Sequence, residues 1–148
     1  MSDRVFVDTN ILVYAYDSQA GEKGRIARKW IAELWETGTG RLSTQVLQEL
    51  YVNITRKVPT PLLPEAAREL VGAYAAWDPF RPDVEAITHA SRIESHFRLS
   101  FWDALIIEAA LRTGASTLLT EDLSAGPTYD GLVVRNPFLE GTRDASTK

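Results

Sequence analysis

The sequence predicts a single α/β domain in which helices alternate with the strands of a parallel sheet. Three observations carry this reading. Short apolar runs of β-favouring residues, Val5-Phe6-Val7, Thr117-Leu118-Leu119-Thr120 and Leu132-Val133-Val134, are separated by long helical patterns. Two of these runs end at carboxylates, Asp8 and Glu121-Asp122, in segments that otherwise choose apolar residues. The chain's 148 residues suffice for one core and are too few for two. Such sheets are built with right-handed crossovers, and their functional crevice lies beyond the carboxyl ends of the strands.

The elements follow in order. Residues 9–16 form a short helix after the first strand, and the polar stretch Asp17–Gly21 breaks the chain. Ile26, Trp30 and Leu34 recur every four residues, so 22–37 reads as an amphipathic helix stopped at Gly38. Arg41-Leu42-Ser43-Thr44 is a short strand candidate, followed by a helix over 45–57. Val58-Pro59-Thr60-Pro61 ends that helix, and Pro64 opens the next, over 65–76. An extended piece near Trp77–Phe80 leads to a helix over 83–97. Ser100 opens an apolar helix that runs to Arg112 and is closed by Gly114. No repeat or linker divides the chain. The expected domain spans 1–139, and the tail 140–148, with almost nothing apolar, is expected to be disordered.

Composition narrows the function classes. Hydrophobic residues make up 45% and charged residues 24%, as in an ordinary globular protein, and no run approaches the roughly 20 apolar residues of a membrane span. Cysteine is absent, which removes disulfides and thiolate metal sites. Met1-Ser2-Asp3-Arg4 leads straight into the first strand with no long apolar stretch, and the lack of cysteine makes a reducing cytoplasm the expected address. A net charge of −4 argues against a broad basic face for nucleic acid. Basic residues are grouped locally, at Lys23, Arg25, Arg28 and Lys29 and at Arg56-Lys57, where each group reads equally well as a solvated helix face.

The acids carry the chemistry. Asp103 shares a helical face with Ile106, Ile107 and Ala110, and a carboxylate at the start of a buried face is costly unless a cation or hydrogen bonds satisfy it. The same spacing from Ser100 fits a capping box, and a carboxylate with two oxygens can cap and ligate together. On the opposite side, Glu108 and Arg112 are placed for an exposed ion pair. Asp8 follows a strand, where it or Asn10 can cap the next helix. Glu49 falls off the apolar face of Val46, Leu47, Leu50, Tyr51 and Ile54, on a polar strip with Asn53 and Arg56. Asp122 by itself reads equally as a loop carboxylate. Convergence of the four would suit a hard cation such as Mg²⁺ or Mn²⁺, which takes oxygen ligands and needs only one or two direct carboxylates.

Four blocks, Phe6-Val-Asp8-Thr-Asn10-Ile-Leu-Val-Tyr-Ala, Gln45-Val-Leu-Gln-Glu49-Leu-Tyr, Ser100-Phe-Trp-Asp103-Ala-Leu-Ile and Leu118-Leu-Thr-Glu-Asp122-Leu, resemble those of a PIN-domain nuclease. The likeness is nearest to the VapC toxins of bacterial type II toxin–antitoxin modules. It covers essentially the whole chain, including Val134-Arg-Asn136-Pro137-Phe138. The resemblance implies a five-stranded parallel sheet of order 3-2-1-4-5 flanked by helices, with Asp8, Glu49, Asp103 and Asp122 meeting at its carboxyl edge. It makes Asp8 and Asp103 the direct Mg²⁺ or Mn²⁺ ligands. Glu49 and Asp122 complete the pocket through water, and Asn10 and Thr120 orient the ligands from behind. It further implies hydrolysis of RNA phosphodiesters to 3′-hydroxyl and 5′-phosphate ends, inhibition by a VapB-like antitoxin, and a homodimer. Asp130 offers one more carboxylate nearby in sequence.

Two other classes compete. An acidic phosphoryl-transfer or receiver-type domain would share the strand-terminal Asp, yet Asp8-Thr9-Asn10 lacks the Asp-x-Asp of a phosphatase nucleophile. No Lys occurs between Lys57 and Lys148 for a receiver site. A non-catalytic RNA- or protein-binding module would leave the acids as caps and surface charges. His89 and His96, seven apart on one helix, read as surface or packing residues rather than a metal-independent RNase pair.

Overall fold

A computed structural model describes residues 3–123 and 128–139. The expected tail 140–148 lies outside the described residues. In chain order the elements are β1 (Val5–Val7), α1 (Thr9–Tyr16), α2 (Gly21–Thr37), β2 (Gly40–Arg41), α3 (Thr44–Val52), α4 (Pro64–Ala73), α5 (Val84–Phe97), α6 (Phe101–Arg112), β3 (Thr117–Leu119), β4 (Thr128–Tyr129) and β5 (Leu132–Arg135). The α/β class is as the sequence predicts: a five-stranded sheet among the described residues, flanked by helices.

Strand order is β2-β1-β3-β5-β4, parallel except for β4, which pairs antiparallel with β5. This differs in detail from an all-parallel 3-2-1-4-5 sheet. The expected outer strand near Phe80 is a single parallel bridge to Ser43, beside β2. Counting that bridge restores the 3-2-1-4-5 sequence of parallel segments. The added strand β4 exists because Asp130 and Gly131 take φ of 50° and 87°, the paired left-handed conformation of a tight hairpin turn. Asp-Gly between two apolar strands is the sequence signal for that turn, and the sequence reading did not use it.

Caps set most helix ends. Ser43, Asp83 and Ser100 each accept an amide hydrogen bond from three residues on, and Gly38, at φ 73°, closes α2 through its N–H to the Leu34 carbonyl. The predicted helix 45–57 stays α-helical only to Val52. Its last turn widens, so that the Val58 N–H reaches back five residues to the Asn53 carbonyl at 3.1 Å. The buried stripe of α2 is Gly24, Ala27, Ile31 and Leu34, leaving Ile26 and Trp30 half-buried beside it. The core gathers Phe6, Ile11, Leu12, Leu42, Leu50, Ile54, Ile107, Leu118 and Leu119, all fully buried. Helix α6 is enclosed on every side from Ala104 to Ala110, so the Glu108–Arg112 pair predicted to be exposed is not. Glu108 is buried, receives Arg112 Nε at 2.8 Å, and faces His89 Nδ1 on α5 at 3.3 Å. No helix among the described residues is long and apolar enough to cross a membrane.

Candidate metal centre

The sheet delivers two acids to one edge. The Asp8 N–H bonds the Leu119 carbonyl at 3.0 Å as β1 ends, and Thr120 N–H bonds the Arg135 carbonyl as β3 ends. Asp8 and Thr120 therefore emerge side by side past the carboxyl ends of adjacent strands. Asp8 is almost fully buried and caps α1: one carboxylate oxygen accepts the Thr9 N–H at 2.7 Å, the other the Thr120 hydroxyl at 2.8 Å. Asn10 Nδ2 contributes a longer contact to that second oxygen, at 3.3 Å. The same amide reaches Thr120 Oγ1 at 3.2 Å and Asp122 at 3.1 Å, while its oxygen accepts the Glu121 N–H. Asn10 and Thr120 thus connect Asp8 with Asp122.

Helix α3 brings in the third acid. Glu49 is gripped at both oxygens: Thr9 Oγ1 donates to one at 2.6 Å and Gln45 Nε2 to the other at 3.2 Å. Gln45 also approaches the Trp102 carbonyl at 3.4 Å, at the start of α6. Asp103 follows that carbonyl, with its own N–H on the Ser100 hydroxyl at 3.1 Å. This is the Ser100 half of a capping box. Of the polar strip that carries Glu49, Glu49 and Asn53 are half-buried, whereas Arg56 is exposed.

Electrostatics tie the four acids together. Burial pushes the Asp8 carboxyl up to about 7, outweighing its hydrogen bonds to Thr120 and Thr9, and the charges of Asp122 and Glu49 push the same way. Asp103 is also raised, first by burial and then by Asp122 and Glu49, against the Ser100 hydrogen bond. Asp130 does not join them. It is exposed at the β4–β5 turn, where β5 begins, at the opposite end of the sheet from Asp8.

Sequence reasoning missed Thr9 and Gln45. Thr9 carried a signal, since the residue after a strand-end Asp shares its crevice. Gln45 carried only its spacing of four from Glu49 on one helix face. It is buried, and its Oε1 has no partner among the described residues. Also missed is a clasp beside the acids: Glu121 accepts from Tyr14 Oη at 2.7 Å and pairs with Lys23, whose ammonium lies over the Tyr14 and Phe138 rings. Of the first predicted basic group, Lys23 is thereby engaged, and Arg25 pairs with Glu22. Arg56 and Lys57 stand exposed.

The donor set fits a hard divalent cation in one respect and limits how it is held. Asp8, Glu49, Asp103 and Asp122 offer oxygen alone, and a cation offsets both the burial that chiefly raises Asp8 and Asp103 and the repulsion from Asp122 and Glu49 that adds to it. No three acidic or imidazole groups among the described residues stand close enough to form a ready-made cage. An ion that keeps most of its water and takes one or two carboxylates directly suits such a crevice.

A mostly parallel sheet with acids past its carboxyl edge defines an α/β protein whose working crevice is anionic and oxygen-lined. The PIN domain family model matches residues 5–125, and the chain belongs to that family. No curated protein matches it. Among solved structures, it is similar to a chain of a toxin–antitoxin complex from Klebsiella pneumoniae. The TM-score is 0.65 at 16% identity, over 90% of this chain and 97% of that one. A chain of VapBC2 from Rickettsia felis, bound to a DNA fragment from its promoter, matches with TM-score 0.62 and 18% identity, over 89% and 97%. At these identities the likeness is one of fold.

Proposed function

We propose that this chain is a Mg²⁺- or Mn²⁺-dependent endoribonuclease that acts in the cytoplasm as the toxin of a toxin–antitoxin pair. The observation that carries the reading is the linkage of Asp8, Glu49 and Asp122, drawn from three separate segments, through Thr9, Asn10 and Thr120, with Asp103 of a fourth segment coupled by charge to Asp122 and Glu49. Asp8 and Asp103 hold the cation. When bound, it supplies charge neutralisation at the scissile phosphate and acidifies water. Glu49, fixed at both oxygens, orients the attacking water and takes its proton; Asp122 holds the far side of the crevice through Asn10. Water adds to phosphorus as the bond to the 3′ oxygen breaks, leaving a 3′-hydroxyl and a 5′-phosphate. Membership of the PIN family supports a nuclease, and the two toxin–antitoxin neighbours support a VapB-like antitoxin as partner. A homodimer belongs to the same reading.

The test is cleavage of structured RNA by purified protein. Activity with Mg²⁺ or Mn²⁺ that stops on chelation is expected, with Asp8→Asn and Asp103→Asn each lowering it at least about a hundredfold while circular dichroism stays unchanged. Cleavage that survives chelation, or full activity in both variants, overturns the reading.

A further inference from the structure

Away from the acids lies a cleft of about 790 Å³, between the start of α3, the end of α4 and residues 78–81. None of the four carboxylates lines it. Its charged lining is Arg4, Arg41, Arg81 and Arg112 against Asp78 alone, among the described residues. Arg112 is spent on Glu108 at 2.8 Å and Glu85 at 3.1 Å. Arg41 is not: its Nη1 donates to the Gly38 and Gly40 carbonyls at 3.1 and 2.7 Å, neutral partners that fix the guanidinium and leave its charge uncompensated. Arg81 is exposed and makes no ion pair among the described residues. A chain of net charge −4 thus concentrates positive charge in one concave place, beside apolar walls from Leu47, Val71 and Phe80. Guanidiniums beside apolar surface suit a phosphodiester strand, whose phosphates and bases need one of each.

The two sites share two helices. Helix α6 begins with Asp103 in the acidic crevice and ends at Arg112 in the cleft, nine residues and about 13 Å of axis away. Helix α3 places Thr44 in the cleft and Glu49 in the crevice, about 7 Å apart along its axis. Helix α6 is buried between its two ends, so a single extended strand meets both sites by running over the surface outside it. We propose that the arginine cleft binds phosphates of the same RNA strand, a few nucleotides from the one cleaved at the acids; the inference rests on the nuclease reading.

Binding and chemistry are read separately. With EDTA present, fluorescence anisotropy of labelled single-stranded RNA compares the wild-type protein with Arg41→Ala/Arg81→Ala. The expected result is roughly tenfold weaker binding and a log–log salt slope shallower by about 1.4, the value for two phosphate contacts on a single strand. The Arg41→Lys/Arg81→Lys pair, which keeps both charges, should retain most of that slope. Hydrolysis of bis(p-nitrophenyl) phosphate with Mn²⁺, too small to span both sites, serves as the chemical control and should be equal in all three proteins. Unchanged RNA affinity in the alanine pair overturns the cleft as an RNA site, as it would if the cleft received an acidic protein partner. Absence of wild-type RNA binding overturns it too. Loss of wild-type hydrolysis with RNA binding intact rejects the nuclease reading alone.

Discussion

Asp8 caps a helix, anchors Thr120 and faces two other acids, all from one buried carboxylate. Its proton is held to about pH 7 in the folded chain, against 3.8 for the ordinary group. Between those values the folded state carries a proton that the unfolded state has lost. Metal-free stability therefore falls as pH rises from about 4 to about 7, by on the order of 2–4 kcal/mol. Urea denaturation of EDTA-treated protein across that range should show the decline, Mg²⁺ should reverse it near pH 8, and Asp8→Asn should flatten it. A stability that climbs over the same interval would contradict the buried, uncompensated Asp8. Gln45 makes the second residue-scale case. Gln45→Leu removes the donor to Glu49 but also an acceptor left without a partner, so stability should change by no more than about 1 kcal/mol. RNA cleavage should fall roughly tenfold in kcat with KM little moved, because Glu49 loses one of its two tethers. Equal losses in stability and activity would make Gln45 merely structural.

Elements were legible where a local rule sufficed. Gly38, Pro64 and Ser100 mark helix ends by conformation, a missing N–H and a side-chain cap, and all three ends fall where the sequence puts them. Burial was less legible. The α2 stripe runs one residue from the predicted one, because small residues at Gly24 and Ala27, rather than Ile26 and Trp30, face α1 and the core. Glu108 looked exposed because its own helix cannot reveal that α5 covers it. Its pairing makes a prediction: Arg112→Ala strands a buried carboxylate with only His89 nearby and should cost about 2–4 kcal/mol, whereas Glu108→Gln, leaving Arg112 with Glu85 and Asp83, should cost less. Thermal unfolding of the two variants decides it. Gly40 is another element-scale constraint, set by space. A Cβ there would lie 2.5–2.7 Å from the Trp77 indole, itself packed against Tyr74 and Trp35, so Gly40→Ala should destabilise by about 1–3 kcal/mol.

At the scale of the molecule, the charge coupling of Asp8 and Asp103 to Glu49 and Asp122, across more than a hundred residues, was to be expected only through family resemblance. No local pattern encodes which strand lies beside which. The parallel pairing of β1 with β3 does that work, since Asp8 and Thr120 become neighbours only in that register. Acids past the carboxyl edge and arginines gathered about the start of α3 and the end of α6 give the fold an electrical polarity that net charge conceals. Trp102 sits at the acidic end of this arrangement. It is 62% exposed, immediately precedes Asp103, and lends its carbonyl to Gln45. Trp77 is buried in the core and Trp30 lies under the Arg135 guanidinium. Trp35 is 39% exposed, so iodide should quench Trp102 most and Trp35 next, and RNA seated over the acids should shield only the Trp102 share, giving a label-free occupancy signal from the unmodified chain.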